Sequence, residues 1–313
     1  MSTRVRRFVG ASLAAALVGL AFALLHIGIY GLTLFALMPV LLGGLSAWTF
    51  RAANGSEAAG IGAVTVFAGL FALLLLGSEG LICIGMALPL ALPLGALGGW
   101  LVYRGGLSPN TSAPGFLMML LLPTGGITWD TQAPTGLFEV RSAVEIAASP
   151  EQVWKHVVTF SDLPEPREWY FRAGLAYPKR ARIEGSGPGA IRYCDFSTGP
   201  FVEPIVTWDE PRLLRFRVTE NPAPMEEWSF YSHVAPRHLH GYLVSKQGQF
   251  QLTRLPGNRT LLEGTTWYRH ALRPSEYWRW WSDAVIHRIH LRVLNHIREL
   301  AEKEAAATSY SGS

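Results

Sequence analysis

The chain has 313 residues, of which 49% are apolar, and a formal net charge of +4. Its charges are unevenly distributed, since residues 1–123 contain five arginines, no lysine and only two acids, Glu57 and Glu79. This composition excludes a wholly soluble protein, a disordered chain and a collagen-like one. Two cysteines, Cys83 and Cys194, give neither a disulfide framework nor a four-cysteine zinc site. We therefore expect a transmembrane region over residues 1–123, followed by a soluble domain.

The first apolar stretch, Phe8 to Phe50, is too long for a single membrane span. As one helix it would measure about 65 Å, roughly twice the apolar thickness of a bilayer. Glycines on either side of Tyr30 permit a turn within it, and a polar turn after Arg51 separates a second apolar pair. The sequence therefore predicts four transmembrane helices, at about residues 8–27, 29–50, 58–77 and 81–103.

The arginines of this region predict its orientation. They precede the first span, follow the second and follow the fourth, at Arg4, Arg6, Arg7, Arg51 and Arg104. With four crossings they all lie on one face, which the positive-inside rule places in the cytoplasm. We predict a multi-pass protein of the cytoplasmic (inner) membrane whose soluble domain is cytoplasmic.

Two features leave alternatives to this topology. Ala21-Phe-Ala23 resembles a signal-peptide cleavage site, although the apolar run continues through it. Residues 114–123 are also apolar, but prolines flank a run too short to span, so we predict an interfacial or re-entrant segment. A fifth crossing at this point would move the soluble domain to the other side of the membrane.

The fourth span carries a small-residue stripe, with Ala87, Ala91, Gly95 and Gly99 at intervals of four. Such a stripe lets helices approach closely. Packing within the chain is the favoured interpretation, while a homodimer through this helix or a lipid slot beside it are alternatives. The spans lack the paired charges of pumps and channels, so transport is not predicted.

The second part of the chain alternates between strand and helix patterns. After a linker at residues 124–136, Phe138 to Ile146 alternates like a half-buried strand, and Ser149 to Gln152 has the form of a capping box that begins a helix. A second short helix and six strand patterns joined by short turns follow.

The last element is a helix of nearly thirty residues, from Ser275 to about Glu304, with apolar residues at helical spacing. We expect a small, polar and disordered tail at residues 305–313. The order of elements predicts an α+β helix-grip domain, in which a curved antiparallel sheet holds the long C-terminal helix and leaves a cavity beneath it.

Several segments carry a family resemblance. They are Val144–Trp154, the strand Gly187–Cys194, the turn and strand Trp208–Phe216, and the terminal helix. Over about residues 137–304 the sequence resembles the START/polyketide-cyclase (SRPBCC) superfamily, and specifically its membrane-tethered bacterial members. The resemblance implies a helix-grip fold with a deep hydrophobic pocket. Different members use that pocket for lipids, polyketides, steroids or quinones, some with cyclase, dehydratase or hydrolase chemistry, so the fold does not fix the function.

Polar residues on the apolar strands and aromatic or apolar residues of the terminal helix are the ligand-binding candidates. Strand alternation places Arg192 and Cys194 on one face. If that face lines the cavity, Arg192 needs a partner such as Glu203 or an anionic ligand. If the other face lines the cavity, Arg192 is a solvated charge on the outer face, which is the commoner case. Cys194 has no basic neighbour in sequence and resembles a small buried apolar residue. The full candidate set is Arg192, Cys194, Glu203, Glu263, Trp267, Tyr268, Trp281 and Val285.

Weak catalytic candidates are Glu227 and His233, in the loop from Asn221 to Pro236, and Tyr268. The alternative for that loop is a rim or a membrane-facing surface. His287 and His290 are three residues apart on the terminal helix, but without a third ligand we predict no metal site. No cofactor, nucleotide or nucleic-acid partner is predicted, since the corresponding motifs are absent.

These features lead to one main functional hypothesis and two alternatives. We expect a membrane-tethered domain that binds a hydrophobic small molecule, such as a lipid or isoprenoid, in an internal cavity. The first alternative is a polyketide cyclase/dehydratase-like enzyme acting on a hydrophobic substrate. The second is a structural or regulatory module whose cavity is filled by side chains.

Overall fold

The computed structural model describes residues 2–105 and 112–311, including all side chains in these ranges except those of residues 112–120, 232–233 and 308–311. The chain divides into two compact units. The helical unit consists of Met1–Pro134, Glu227–His238 and Ala271–Trp278, and the sheet unit consists of the rest. Two segments of the predicted soluble domain thus belong to the helical unit.

The helical unit contains five long helices. They are α1 (Thr3–Ile27), α2 (Met38–Phe50) with a π-helical turn before it (Thr33–Leu37), α3 (Gly55–Leu75), α4 (Leu81–Arg104) and α5 (Ser112–Gln132). The first four, with Thr33–Phe50 counted as one, are long and apolar enough to cross a membrane. A short hairpin in the same unit joins β6 (Glu227–Ser229) to β7 (Ser232–Val234).

Helix α5 occupies the segment predicted to be interfacial and most of the predicted linker. It continues through Pro123 and ends at Gln132. Asp130, near its end, accepts hydrogen bonds from the backbone N–H groups of Leu32 (2.7 Å) and Thr33 (2.9 Å). At the first turn of the second apolar helix, an acid accepts from N–H groups that lack partners within the helix. Its negative charge is also stabilised by the positive end of the helix dipole.

Small residues allow the central helices of this unit to pack closely. A Cβ atom on Gly62 would overlap the backbone of Gly95, and one on Gly99 would overlap the backbone of Ala58. The predicted stripe on α4 therefore serves packing within the chain, as the favoured interpretation held. A homodimer through α4 would need a different face of that helix.

The helical unit has two chemically distinct ends. At the turn end, the α1–α2 and α3–α4 turns meet, because the Tyr30 hydroxyl donates to Glu79 Oε1 at 2.9 Å. The backbone N–H of Arg273 donates to the Tyr30 carbonyl at 3.0 Å at the same end. The arginine end carries Arg51 after α2 and Arg104 at the end of α4.

The sheet unit is built around one seven-stranded antiparallel sheet, in the order β1-β9-β8-β5-β4-β3-β2. Its strands are β1 (Phe138–Ile146), β2 (Pro178–Glu184), β3 (Ile191–Phe196), β4 (Gly199–Asp209), β5 (Leu213–Arg217), β8 (Leu243–Leu255) and β9 (Arg259–His270). Two short helices, α6 (Pro150–Val158) and α7 (Trp169–Arg172), lie between β1 and β2 in the chain. The predicted capping box at Ser149 and Gln152 is present at the start of α6.

The long helix α8 (Ser275–Ser311) packs its apolar stripe against this sheet. Leu294 and Ile297 on the helix, and Leu214 and Leu262 on the sheet, have no exposed surface and belong to one core cluster. Full burial of each such side chain contributes about 1.5–3 kcal/mol to folding. The predicted helix-grip architecture is confirmed.

Helix α8 is longer than predicted. It continues to Ser311, although the sequence predicts a disordered tail from Ala305. Three consecutive alanines at 305–307 favour helix, because alanine loses no side-chain entropy on becoming helical.

Candidate functional site

The sheet unit contains an internal cavity of about 140 Å³. Most of its wall is apolar or aromatic, and Phe216 and Phe250 are among the lining side chains. Four of the predicted ligand-binding residues line it: Arg192, Cys194, Glu203 and Val285. The role of these residues in ligand binding stays a prediction.

Arg192 and Glu203 form a buried ion pair in the cavity wall. They lie directly opposite each other on β3 and β4, and Arg192 Nη1 contacts Glu203 Oε2. Exposed fractions are 1% for Arg192 and 6% for Glu203. Arg192 Nε also donates to the Val158 carbonyl at 3.2 Å. Strand alternation groups Arg192 with Cys194 on one face, and the structure shows that this face is the inner one, with Glu203 as the partner of Arg192.

The guanidinium group of Arg192 is surrounded by aromatic rings and keeps one unused donor. Its Cζ lies 5.6 Å from the ring centre of Phe160 and 5.5 Å from those of Phe216 and Phe250. Nη2 is buried and makes no hydrogen bond with any group in the described part of the chain. An unsatisfied buried donor costs about 1–3 kcal/mol, so a ligand that supplies an acceptor gains by satisfying it.

Cys194 is not suited to act as a nucleophile. Burial raises the pKa of its thiol to about 12, and the neighbouring Glu203 adds to this effect. Burial also raises the pKa of Glu203, against the opposing effect of Arg192. The thiolate is the reactive form of cysteine, so Cys194 is an inert part of the wall, as the sequence predicts.

His290 contributes an imidazole ring to the cavity wall. Its Nδ1 lies 3.1 Å from Ser142 Oγ, and its Nε2 lies 2.7 Å from Thr266 Oγ1. Burial lowers the pKa of His290 to about 4, and electrostatic repulsion from His287 makes a smaller contribution in the same direction. The ring is therefore neutral at neutral pH. His287 Nδ1 contacts the same Ser142 hydroxyl at 2.7 Å. The two histidines therefore share a serine, and no described carboxylate or thiol joins them in a metal-binding group.

The other four ligand-binding candidates are not brought to this cavity. Glu263 and Trp267 alternate with the inward-facing residues of β9, and Trp267 Nε1 donates to Glu139 at 2.9 Å. The Tyr268 hydroxyl donates to Asp283 at 2.5 Å beneath α8, and burial raises the pKa of that tyrosine. Trp281 is half-buried and packs edge-on against Trp280. Alternation identified two faces of each strand but did not place these side chains relative to the cavity.

Of the catalytic candidates, Tyr268 belongs to the sheet unit and Glu227 to the helical unit. The Tyr268 hydroxyl is hydrogen-bonded to Asp283. The side chain of His233 lies outside the described part of the chain. Glu227 belongs to the helical unit, where its carboxylate accepts hydrogen bonds from the backbone N–H groups of Ile82 (3.1 Å) and Cys83 (3.0 Å). Among the described residues, the carboxylate of Glu227 thus holds the first turn of α4.

The helical unit has a cavity of its own, which sequence reasoning missed. Its volume is about 220 Å³, and its wall is almost entirely apolar. Four polar side chains line it at the turn end: Tyr30, Glu79, Cys83 and His238. His238 Nε2 lies 2.7 Å from Cys83 Sγ, and His238 Nδ1 lies 3.5 Å from Glu79 Oε2.

Burial controls the charges at this polar corner. Burial raises the pKa of Glu79 to about 8. The hydrogen bond from Tyr30 opposes this rise, and the nearby carboxylate of Glu227 adds to it. Burial lowers the pKa of His238 to about 4. Both groups are therefore largely neutral near pH 7, and their contact is not an ion pair. The four-residue spacing of Glu79 and Cys83 is the one sequence signal for this corner.

Comparison with known proteins supports the fold of the sheet unit. Residues 138–274 match the family model described as polyketide cyclase/dehydrase and lipid transport. No curated protein matches the chain.

Similar solved structures have low sequence identity. A norcoclaurine synthase point mutant from Thalictrum flavum is 14% identical, with a TM-score of 0.36, over 56% of this chain and 99% of that one. The Zhui aromatase/cyclase from Streptomyces sp. R1128 is 17% identical, with a TM-score of 0.34, over 54% and 96%. A protein from Nitrosospira multiformis is 16% identical, with a TM-score of 0.37, over 54% and 99%. Over residues 138–274, then, the chain is similar to the polyketide cyclase/dehydrase and lipid transport family, whose model is of the SRPBCC type.

Proposed function

We propose that the sheet unit binds a hydrophobic small molecule or lipid in its cavity, and that the helical unit anchors the chain in the cytoplasmic membrane. The observation that carries this proposal is the unused Nη2 donor of Arg192 in an otherwise apolar and aromatic cavity wall. A cavity filled only by side chains, as a purely structural module requires, would not leave this space or this donor.

The size of the cavity restricts what enters it. A dry cavity of about 150 Å³ holds a molecule the size of benzene, and the cavity here measures about 140 Å³. We therefore propose that the ligand inserts one ring, or a short end of an isoprenoid or acyl chain. A whole lipid would have to widen the space.

The charge of the cavity wall restricts the polar part of the ligand. Glu203 already compensates the charge of Arg192, so an anionic ligand would add an uncompensated buried charge. A carbonyl or hydroxyl oxygen accepts from Nη2 without that cost. The ligand class that fits best is a hydrophobic molecule with a neutral oxygen acceptor, such as a quinone-like or polyketide-like carbonyl compound.

Membrane anchoring gives this pocket access to its ligand. Four helices have the length and composition of membrane spans. A pocket tethered to the membrane that dissolves the ligand encounters it at a high effective concentration without any gain in intrinsic affinity.

The contacts of α5 favour a side of the membrane opposite to that expected from four crossings. Helix α4 ends at Arg104, at the arginine end, whereas Asp130 contacts Leu32 and Thr33 at the turn end. The chain therefore returns along the unit between these points, and the 21 residues of α5 cover about 31 Å, the thickness of a bilayer core. We propose that α5 is a fifth crossing. If the arginine end is cytoplasmic, the chain after α5 continues on the non-cytoplasmic side.

A cyclase or dehydratase activity is the second candidate, and His290 is the observation that favours it. A neutral imidazole in a hydrophobic cavity can exchange a proton with a bound carbonyl compound. Both of its nitrogens are held by hydroxyl groups, which fix the orientation of the ring.

The binding proposal is tested by extracting the purified full chain with organic solvent and identifying apolar molecules by mass spectrometry. Val285→Trp fills the cavity, and Val206→Trp makes the same change at an exposed position of β4. We expect a defined molecule in the wild type and in Val206→Trp, and its loss in Val285→Trp. Equal amounts of lipid in all three proteins would contradict a specific cavity ligand.

The same extraction separates a carrier from a dehydratase. His290→Asn keeps hydrogen-bonding groups in the wall but removes the imidazole. If the domain dehydrates its ligand, the variant retains a molecule heavier by one water than the one bound to the wild type. Identical ligand masses would exclude the dehydratase alternative and leave the carrier.

A further inference from the structure

Three potential metal ligands converge at the polar corner of the helical unit. One ligand atom each from Glu79, Cys83 and His238 lies within 4.8 Å of the other two. It is the one such group found among the described side chains, and it combines a carboxylate oxygen, a thiol sulfur and an imidazole nitrogen. The sequence alone predicts none of the three as part of a binding site.

The group is buried and incompletely satisfied. Exposed fractions are 5% for Glu79 and 7% for His238, and Cys83 is half-buried. His238 Nδ1 is buried without a hydrogen-bond partner in the described part of the chain, and it faces Glu79 Oε2 at 3.5 Å. Buried polar atoms in folded proteins nearly always have a partner, so the hydrogen-bonding capacity of this imidazole is not fully used by the described residues.

The nearby Glu227 supports the site without being a ligand. Both of its carboxylate oxygens accept backbone N–H groups, from Ile82 and Cys83. A Cβ on Gly80 would overlap the Glu227 side chain, so this close approach depends on a glycine at that position. Glu227 thereby fixes the first turn of α4, from which the Cys83 side chain extends, and adds a second carboxylate beside Glu79.

We infer that Glu79, Cys83 and His238 form a binding site for a thiophilic divalent cation, of which zinc is the best match. Sulfur and imidazole ligands exclude magnesium and calcium, which prefer oxygen alone, whereas zinc takes S, N and O ligands. Zinc at Zn–S and Zn–N distances of about 2.3 and 2.0 Å would separate Sγ from Nε2 to about 3.5 Å. Binding therefore replaces the 2.7 Å thiol–imidazole contact by a small rotation of the two side chains.

Charge favours a metal site over a catalytic triad built from the same residues. A cysteine, a histidine and an acid also occur together in nucleophilic catalysis, where the thiol must ionise. Here two buried carboxylic acids lie beside Cys83, and negative charge on either of them opposes a thiolate. A divalent cation reverses this effect, because it compensates both the thiolate and the Glu79 carboxylate.

The coordination number indicates what the site would do. Three protein ligands leave the fourth position of tetrahedral zinc open, which is the arrangement of catalytic rather than structural zinc sites. All three ligands line the apolar cavity of about 220 Å³. The open position would hold water or the oxygen of a hydrophobic molecule in that cavity. This inference concerns the helical unit and does not depend on ligand binding by the sheet unit.

Cobalt(II) binding tests the inference, because a cobalt–thiolate bond produces a near-ultraviolet charge-transfer band. The purified full chain is stripped with a chelator and titrated with cobalt, and bound metal is then counted by elemental mass spectrometry. We expect one ion per chain and a thiolate band that is absent from Cys83→Ser and strongly weakened in His238→Ala. Cys194→Ser is the matched control and retains the band, because Cys194 lies in the sheet unit. Absence of the band from the wild type, or its survival in Cys83→Ser, overturns the proposal.

Protection from alkylation tests the same site without a substitution. Peptide mapping of the wild type follows the reaction of Cys83 with iodoacetamide, with and without zinc. We expect zinc to slow the modification of Cys83 at least tenfold and to leave that of Cys194 unchanged. Equal rates at Cys83 with and without zinc would overturn the proposal even if a variant failed to fold.

Discussion

Arg192 and Glu203 occupy directly opposed positions of β3 and β4 and form an ion pair inside the sheet unit. Each group alone would be a buried charge, since their exposed fractions are 1% and 6%. The pair therefore makes the polar part of the cavity tolerable, while leaving Nη2 of Arg192 as a donor.

Removal of one partner of this pair should destabilise the sheet unit more than removal of both. In Glu203→Leu the guanidinium stays buried without its carboxylate, which typically costs about 3–5 kcal/mol, a large part of the roughly 5–15 kcal/mol by which domains are stable. Arg192→Met combined with Glu203→Leu leaves no buried charge and should recover most of this loss. The measurement is chemical unfolding of the full chain followed by tryptophan fluorescence. A double variant as unstable as the single one would contradict the charge argument.

Stability of the sheet unit should fall in mild acid because of His290. Its pKa is lowered from 6.5 to about 4 in the folded protein, so between these values the unfolded chain binds the proton more readily. The stability that neutral His290 contributes is fully present above pH 6.5. As the pH falls towards 4, the free energy of unfolding decreases, by at most about 1.4 kcal/mol per pH unit.

The matched variants for this effect are His290→Asn and His287→Asn. The first should flatten the dependence of the unfolding free energy on pH between 6.5 and 4, since it removes the titrating ring. The second changes the exposed neighbour and should keep most of the slope. Parallel pH profiles for the wild type and His290→Asn would show that other groups cause the acid sensitivity.

The capping box should contribute measurably to the stability of helix α6. Gln152 N–H donates to Ser149 Oγ at 3.4 Å, and Ser149 N–H donates to Gln152 Oε1 at 3.0 Å. Ser149→Ala removes the side-chain acceptor and should cost about 1 kcal/mol, whereas Ser149→Asp keeps an acceptor and should cost much less. Hydrogen exchange of the α6 backbone is the measurement. Unchanged exchange in Ser149→Ala would mean that packing alone holds this helix.

The sidedness proposal predicts opposite labelling of two engineered cysteines. Ser186 lies in an exposed turn of the sheet unit, and Ala53 lies in the exposed turn at the arginine end. With five crossings, a membrane-impermeant maleimide should label Ser186→Cys in intact spheroplasts and Ala53→Cys only after lysis. The wild type reports the background from Cys83 and Cys194, and burial of Cys194 keeps its reactivity low. Labelling of both variants only after lysis would contradict the fifth crossing and support the cytoplasmic location of the sheet unit that four crossings predict.

Local patterns determined most of the fold. Hydropathy predicted the apolar helices because a span needs a continuous apolar run, and the capping box at Ser149 is encoded within four residues. Alternation on β3 predicted that Arg192 and Cys194 share a face, and the chemistry of a buried arginine pointed to Glu203 as its partner. The length of α5 is not evident from local patterns, because Pro123 predicts a boundary although the helix continues through it.

By itself, then, the sequence determined an apolar helical region followed by a helix-grip domain, since period and polarity are properties of neighbouring residues, but it left open which face of β3 lines the cavity. Only the tertiary structure decided which polar groups meet. Cys83 and His238 are in contact although 155 positions separate them, and Glu227 caps the first turn of α4. Contacts of this kind depend on the path of the whole chain, and no local pattern records that path.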